Sequence, residues 1–105
     1  MKLTDTEIQE MGDAIAKALH PLQVLLFGSY ADGTATEDSD LDLLIVMESS
    51  EPRYKRGAMI RNLFWPPKAP MDILVYTPEE VRRWNGLPNH VLTNAFTTGK
   101  VLYAA

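Results

Sequence analysis

The chain has 105 residues, 46 % of them hydrophobic and 23 % charged, with a net charge of −4 and no cysteine. That length accommodates one domain, residues 1–105, and leaves no room for a second, substrate-holding one. The composition excludes disordered and fibrous classes, a disulfide framework and a thiolate zinc site, and no apolar run approaches the ~18–20 residues that span a membrane. The opening Met1-Lys2-Leu3-Thr4-Asp5 turns polar at once and has no signal-peptide core, so a small acidic cytoplasmic domain is the expectation. The acidic balance argues against a nucleic acid held by bulk charge, which needs a basic surface.

Thr4-Asp5-Thr6-Glu7 has the spacing of a capping box, and Ile8, Met11, Ile15 and Leu19 follow at helical intervals up to His20-Pro21. Gln23 to Phe27 is a short apolar strand stopped by Gly28-Ser29, and a Gly/Thr/Asp/Ser-rich stretch runs on to Ser39. Asp40 to Met47 is a second strand. Ser49-Ser50-Glu51-Pro52 reads as a cap with proline in the first turn, predicting a helix to about Phe64 or Trp65, where Pro66-Pro67 forbids its continuation.

Met71 to Tyr76 is a third strand. Thr77-Pro78-Glu79-Glu80 is another capping box, for a helix ending near Asn85-Gly86. A last helix spans Asn89 to Thr98 with Gly99 as its stop, and Val101-Leu102-Tyr103 forms a terminal strand or simply packs. This alternation predicts an α/β (α+β) fold, a small three-stranded sheet flanked by helices.

The acidic residues carry the chemical information. Aspartate is depleted in strands, yet Asp40 and Asp42 flank Leu41 at the head of one. Strand alternation puts both on one face, with Cα atoms roughly 6.5–7 Å apart, and leaves Leu41, Leu43, Ile45 and Met47 on the other. Asp72 opens the third strand on the face of Leu74 and Tyr76. If strands two and three run parallel, three carboxylates meet at one end of the sheet. The stretch from Glu48 to Pro70 is long enough for the crossover this needs.

Close carboxylates repel one another unless a cation neutralises them, and Mg²⁺, taking oxygen ligands, is the natural answer. Two such ions would clamp the attacking and leaving oxygens of a phosphoryl transfer. Gly28, lacking Cβ, lets a ligand approach the backbone, and Ser29 opens a short helix whose N–H groups and hydroxyl can hold phosphate. For Gly28-Ser29 to face Asp40, strands one and two must run antiparallel, which makes the sheet mixed.

Gly28-Ser29-Tyr30-Ala31-Asp32-Gly33, ten residues from Ser29 to Asp40, and Asp38-Ser39-Asp40-Leu41-Asp42 resemble the signature of the DNA polymerase beta-like nucleotidyltransferases. The chain is most similar to their minimal (MNT) branch, the antitoxin side of HEPN/MNT toxin–antitoxin pairs. The resemblance extends to the first helix, to the Met71–Glu80 segment and to Gly99-Lys100-Val101-Leu102-Tyr103. It implies a polymerase beta palm-like fold, with Gly28 and Ser29 binding the nucleotide. Asp40, Asp42 and Asp72 would bind two Mg²⁺ ions, and Asp72 would also assist deprotonation of the acceptor. The implied reaction moves a nucleoside monophosphate, AMP from ATP, to a hydroxyl of a HEPN ribonuclease partner. The alternative is a non-catalytic antitoxin that neutralises the HEPN protein by contact.

One position departs from the pattern. Where the resemblance implies an arginine after Ala31, this chain has Asp32, which exchanges a cation for an anion beside the phosphates. Arg53, Lys55, Arg56 and Arg61 on the crossover are the candidates to compensate. Two candidate contact surfaces are Leu63-Phe64-Trp65-Pro66-Pro67 and the last helices with Trp84, Leu87 and Phe96; core packing is the expected role for most of these, and Trp65, beside two prolines, is the one expected to be exposed. Tyr30 either stacks on a base or fills its loop. Oligomerisation is left open.

Overall fold

Thr4 and Glu7 cap the first helix as their spacing predicts. The Glu7 N–H donates to the Thr4 hydroxyl at 3.1 Å and the Thr4 N–H to the Glu7 carboxylate at 3.0 Å. A computed structural model describes residues 2–105, and in it this helix, α1, spans Asp5–Leu19 and ends on His20 in a left-handed conformation. There follow β1 (Gln23–Phe27), the one-turn α2 (Ser29–Asp32), β2 (Leu41–Val46), a 3-10 turn (Arg53–Lys55), α3 (Ala58–Leu63), β3 (Met71–Tyr76), α4 (Pro78–Trp84), α5 (Val91–Thr98) and β4 (Lys100–Ala104).

The strands form one mixed sheet in the order β3-β2-β1-β4. β2 and β3 are parallel, while β1 pairs antiparallel with both β2 and β4. The expected sheet of three strands is thus corrected to four, the C-terminal Lys100–Ala104 pairing alongside β1. Gly12 makes this possible: a side chain there would press on Leu102, so its lack of Cβ lets α1 settle onto β4.

The alternation in β2 sorts the molecule into two cores. Leu41, Leu43 and Ile45 face Ile8 and Ile15 of α1 and Ile60 of α3, joined by Ile73 and Val75. Leu44 and Val46 face the other way, with Leu25 and Tyr76, against Leu92 and Ala95 of α5 and the half-buried Val81, Trp84 and Phe96. Each fully buried Leu or Ile contributes about 1.5–3 kcal/mol, so β2, walled in on both faces, anchors the fold.

The crossover departs most from the sequence reading. A continuous helix from Pro52 to about Phe64 is expected, and a 3-10 turn followed by the six-residue α3 is found. Arg56 explains the break. Its guanidinium donates to the Glu51 carbonyl (2.8 Å), the Val75 carbonyl (3.1 Å) and the Glu80 carboxylate (2.6 Å), which draws the chain in before Gly57 begins a new turn.

Candidate active site

Phe27 pairs with Asp42, and Asp42 pairs with Asp72. Both expectations about strand direction therefore hold. In a parallel pair, residues in register point to the same face on strands about 4.8 Å apart, so the Asp42 and Asp72 carboxylates lie side by side at the head of β2 and β3. They share the face of Leu44 and Tyr76, the one covered by α4 and α5.

Asp40 lies outside β2, exposed in the loop that leads into it. Leu41, whose N–H is taken by the Pro70 carbonyl at 2.8 Å, begins the ladder. The loop is held locally: the Thr36 N–H donates to the Ser39 hydroxyl and the Asp38 N–H to the Thr36 hydroxyl. Among the described residues, no three acidic or histidine side chains converge into a ready-made cation cage.

The electrostatics nevertheless tie the three aspartates together. Asp42 is half-buried and, among the described residues, has no hydrogen-bonding or cationic relief. Burial first, then the negative charge of Asp72 and of Asp40, pushes its carboxyl up to about 6. The donor set is hard, anionic and short of positive charge, which fits a divalent cation.

Gly28 is the steric counterpart. Its backbone sits at φ +72°, and a Cβ built on it would fall on the Asp42 Oδ2 carboxylate oxygen. Only glycine lets the turn after β1 come this close to the carboxylate. Ser29 follows as the first residue of α2, and the Gly28 carbonyl accepts from the N–H groups of Ala31 and Asp32. Tyr30 fills its loop: it is 7 % exposed, and its hydroxyl accepts from the Leu3 N–H.

Beside Gly28 opens a groove of about 450 Å³ lined by Phe27, Asp32, Asn89, Val91, Asn94 and Thr98. Asp32 holds its charge there, because hydrogen bonds from the Thr34 hydroxyl and N–H keep its carboxyl below the usual range. The α5 wall was not anticipated as part of the site. Its signal was present, since Asn94 and Thr98 stand four apart on the side of the helix away from Leu92 and Ala95.

The basic residues of the crossover do not compensate for Asp32 within the chain. Arg56 is committed to Glu80 and Val75, and Arg53 lies 5.1 Å from the ring centres of Tyr76 and Trp84. Lys55 lies over Tyr54, and Arg61 folds back across Gly57. The anchors of Arg53 and Arg56 belong to the far end of β3 from Asp72, and Gly57, which Arg61 crosses, lies beside the Ile73 carbonyl. Trp65 is 78 % exposed, and Trp84 and Phe96 are half-buried in the α4/α5 core, both as expected.

This chain belongs to the nucleotidyltransferase domain family, whose model matches residues 11–103. It is 38 % identical over 56 residues to the Methanocaldococcus jannaschii protein named "putative protein adenylyltransferase MJ1305", an alignment that spans 52 % of this chain and 34 % of that one. The chain thus matches about a third of the length of that relative. Its fold is similar to a chain of a toxin–antitoxin structure with AMP-PNP (TM-score 0.64, 21 % identity, 90 % of this chain and 73 % of that one). It is also similar to a chain of the toxin–antitoxin MntA-HpeT carrying two aspartate-to-glutamate changes (TM-score 0.61, 19 % identity, 98 % and 75 %).

Proposed function

We propose that this chain transfers a nucleoside monophosphate from a nucleoside triphosphate, ATP in the first instance, to a hydroxyl of a partner protein, and that the partner is the toxin of a toxin–antitoxin pair, of the HEPN type. The observation that carries the reading is the pairing of Asp42 with Asp72 under Gly28. Family membership, the adenylyltransferase name of the relative and the toxin–antitoxin setting of the structural neighbours support it.

In this reading Asp42 and Asp72, with Asp40 from the loop, would hold Mg²⁺, which when bound would supply the positive charge that a triphosphate needs here. Gly28 keeps the space above Asp42 open, and the Ser29 hydroxyl donates to a phosphate oxygen. Asp72, exposed at the rim, accepts the proton of the acceptor hydroxyl. The acceptor oxygen bonds to the α-phosphorus, and pyrophosphate leaves. The groove beside Gly28 takes the nucleoside. Catalysis rests on positioning and electrostatics, with no covalent enzyme intermediate.

Asp32 favours a second reading, in which the site holds triphosphate weakly and the chain silences its partner by contact. Mass spectrometry of the co-expressed toxin separates the two. A nucleoside-monophosphate increment that vanishes in Asp42→Asn is the expected result. Silencing without any increment, and equally by Asp42→Asn, contradicts transfer.

A further inference from the structure

The groove beside Gly28 has no lysine or arginine among its lining residues, yet the ligand proposed for it is a polyanion. The chain's cations are clustered elsewhere, and one feature stands among them. Tyr54 is 80 % exposed, whereas Tyr30 and Tyr76 are 7 % and 6 % exposed and Tyr103 is half-buried. It sits on the 3-10 turn Arg53–Lys55, with the Lys55 ammonium 5.8 Å from its ring centre. Arg56 fixes the base of this turn through Glu51, Val75 and Glu80, and Arg53 fixes its other shoulder against Tyr76 and Trp84. A phenol is therefore presented on a rigid, cationic projection.

We infer that Tyr54 is an acceptor of the nucleoside monophosphate, modified by a second copy of this chain. The inference rests on the transfer activity proposed above. Transfer cannot occur within one chain. Tyr54 borders the groove of Leu19, Met47 and Val75, on the α1/α3 side of the sheet, while Asp42 and Asp72 face the α4/α5 side. The length of β3 separates them too, because the turn is anchored at Val75 and Tyr76 while Asp72 opens the strand.

Between two copies, the Arg53–Lys55 turn of one meets the other at the rim where Asp72 is exposed, beside the nucleoside in the Gly28 groove. It brings the acceptor hydroxyl together with the Lys55 ammonium, a cation of the kind the groove lacks. Charge supplied in this way by a second protein is a recurring device in phosphoryl transfer. The Tyr54 oxygen bonds to the α-phosphorus of the triphosphate, and the bond from that phosphorus to its bridging oxygen breaks. Pyrophosphate leaves with the electron pair, and the phenolic proton passes to Asp72 of the second copy. The product is a tyrosine nucleotidyl phosphodiester. It removes the phenol and adds an anion to the projection, which leaves the modified chain a poorer acceptor.

The test uses the full chain with ATP and Mg²⁺, intact-mass measurement and peptide mapping. One nucleoside-monophosphate increment mapped to Tyr54 is expected, falling about tenfold or more in Tyr54→Phe. The modified fraction formed per minute is expected to rise about twofold when protein concentration doubles, as a bimolecular encounter requires. In a mixture of Tyr54→Phe and Asp42→Asn chains, the increment belongs on the Asp42→Asn chain, which can accept but not donate. A labelled toxin beside an unlabelled Tyr54 overturns the self-acceptor inference and leaves the transfer activity standing. Absence of transfer to any protein, with no pyrophosphate released, overturns both. Folding does not confound the result, because Tyr54 is exposed and its loss to phenylalanine removes only a hydroxyl.

Discussion

The two ends of β3 treat a carboxylate in opposite ways. At the C-terminal end Glu80 is drawn inward and fully answered: the Arg56 guanidinium lies 2.6 Å away and the Thr77 N–H donates at 2.9 Å. Burial opposes its charge, but those partners outweigh it and keep its carboxyl below the usual range. At the N-terminal end Asp42 is half-buried with two further aspartates for company, and it is pushed up to about 6. The first arrangement is a clamp that fastens the crossover to α4. The second leaves a half-buried charge without relief among the described residues, and the proposed cation site rests on that contrast.

Breaking the clamp should have the largest effect on folding. Arg56→Ala leaves Glu80 without its cation and frees the 3-10 turn, so a destabilisation of about 2–3 kcal/mol is expected in urea melts. Glu80→Gln, which keeps the hydrogen-bonding shape, should cost less than half of that. Equal losses would mean that the charge of the pair is irrelevant.

Crowding the site comes next. Gly28→Ala places a methyl group on the Asp42 carboxylate at a positive φ, so it should cost about 1–3 kcal/mol. It should also abolish nucleotide-dependent stabilisation. Thr77→Ala removes the α4 cap and should cost about 1 kcal/mol while leaving nucleotide binding intact.

Removing the strained charge should have an effect of the opposite sign, confined to neutral and higher pH. A carboxyl raised from 3.8 to about 6 on folding favours the native state most at low pH, and that contribution is lost as pH rises between those values. In cation-free buffer, Asp42→Asn should therefore melt at a higher temperature than the parent chain above about pH 6, with the difference vanishing near pH 4. A variant that is destabilised at pH 8 would show that Asp42 contributes to the fold.

Local signals were the most legible in the sequence. Both capping boxes, the Gly28 stop and the alternation of Leu41, Leu43 and Ile45 depend on neighbours in the chain, and all appear as read. The parallel pairing was legible indirectly, from the length of the crossover and the aspartate heading each strand. Three features were hidden because each depends on a distant contact. β4 requires Gly12 to admit Leu102, the crossover helix is broken by the reach of Arg56 to Glu80, and Arg53 and Arg56 are held by Tyr76, Trp84 and Glu80. Asp40 falls outside β2, where an aspartate does not have to share the ladder with Pro70.

The most direct test of the site is thermal denaturation at pH 8 with Mg²⁺ or Mn²⁺ and a non-hydrolysable ATP analogue, comparing the parent chain with Asp42→Asn. A ligand that binds only the native state stabilises it by about 2.7 kcal/mol at a hundred times its dissociation constant. Metal and nucleotide together should raise the melting temperature of the parent chain by several degrees and leave Asp42→Asn unmoved. No rise in the parent, or the same rise in both chains, would contradict a cation-dependent nucleotide site at Asp42 and Asp72.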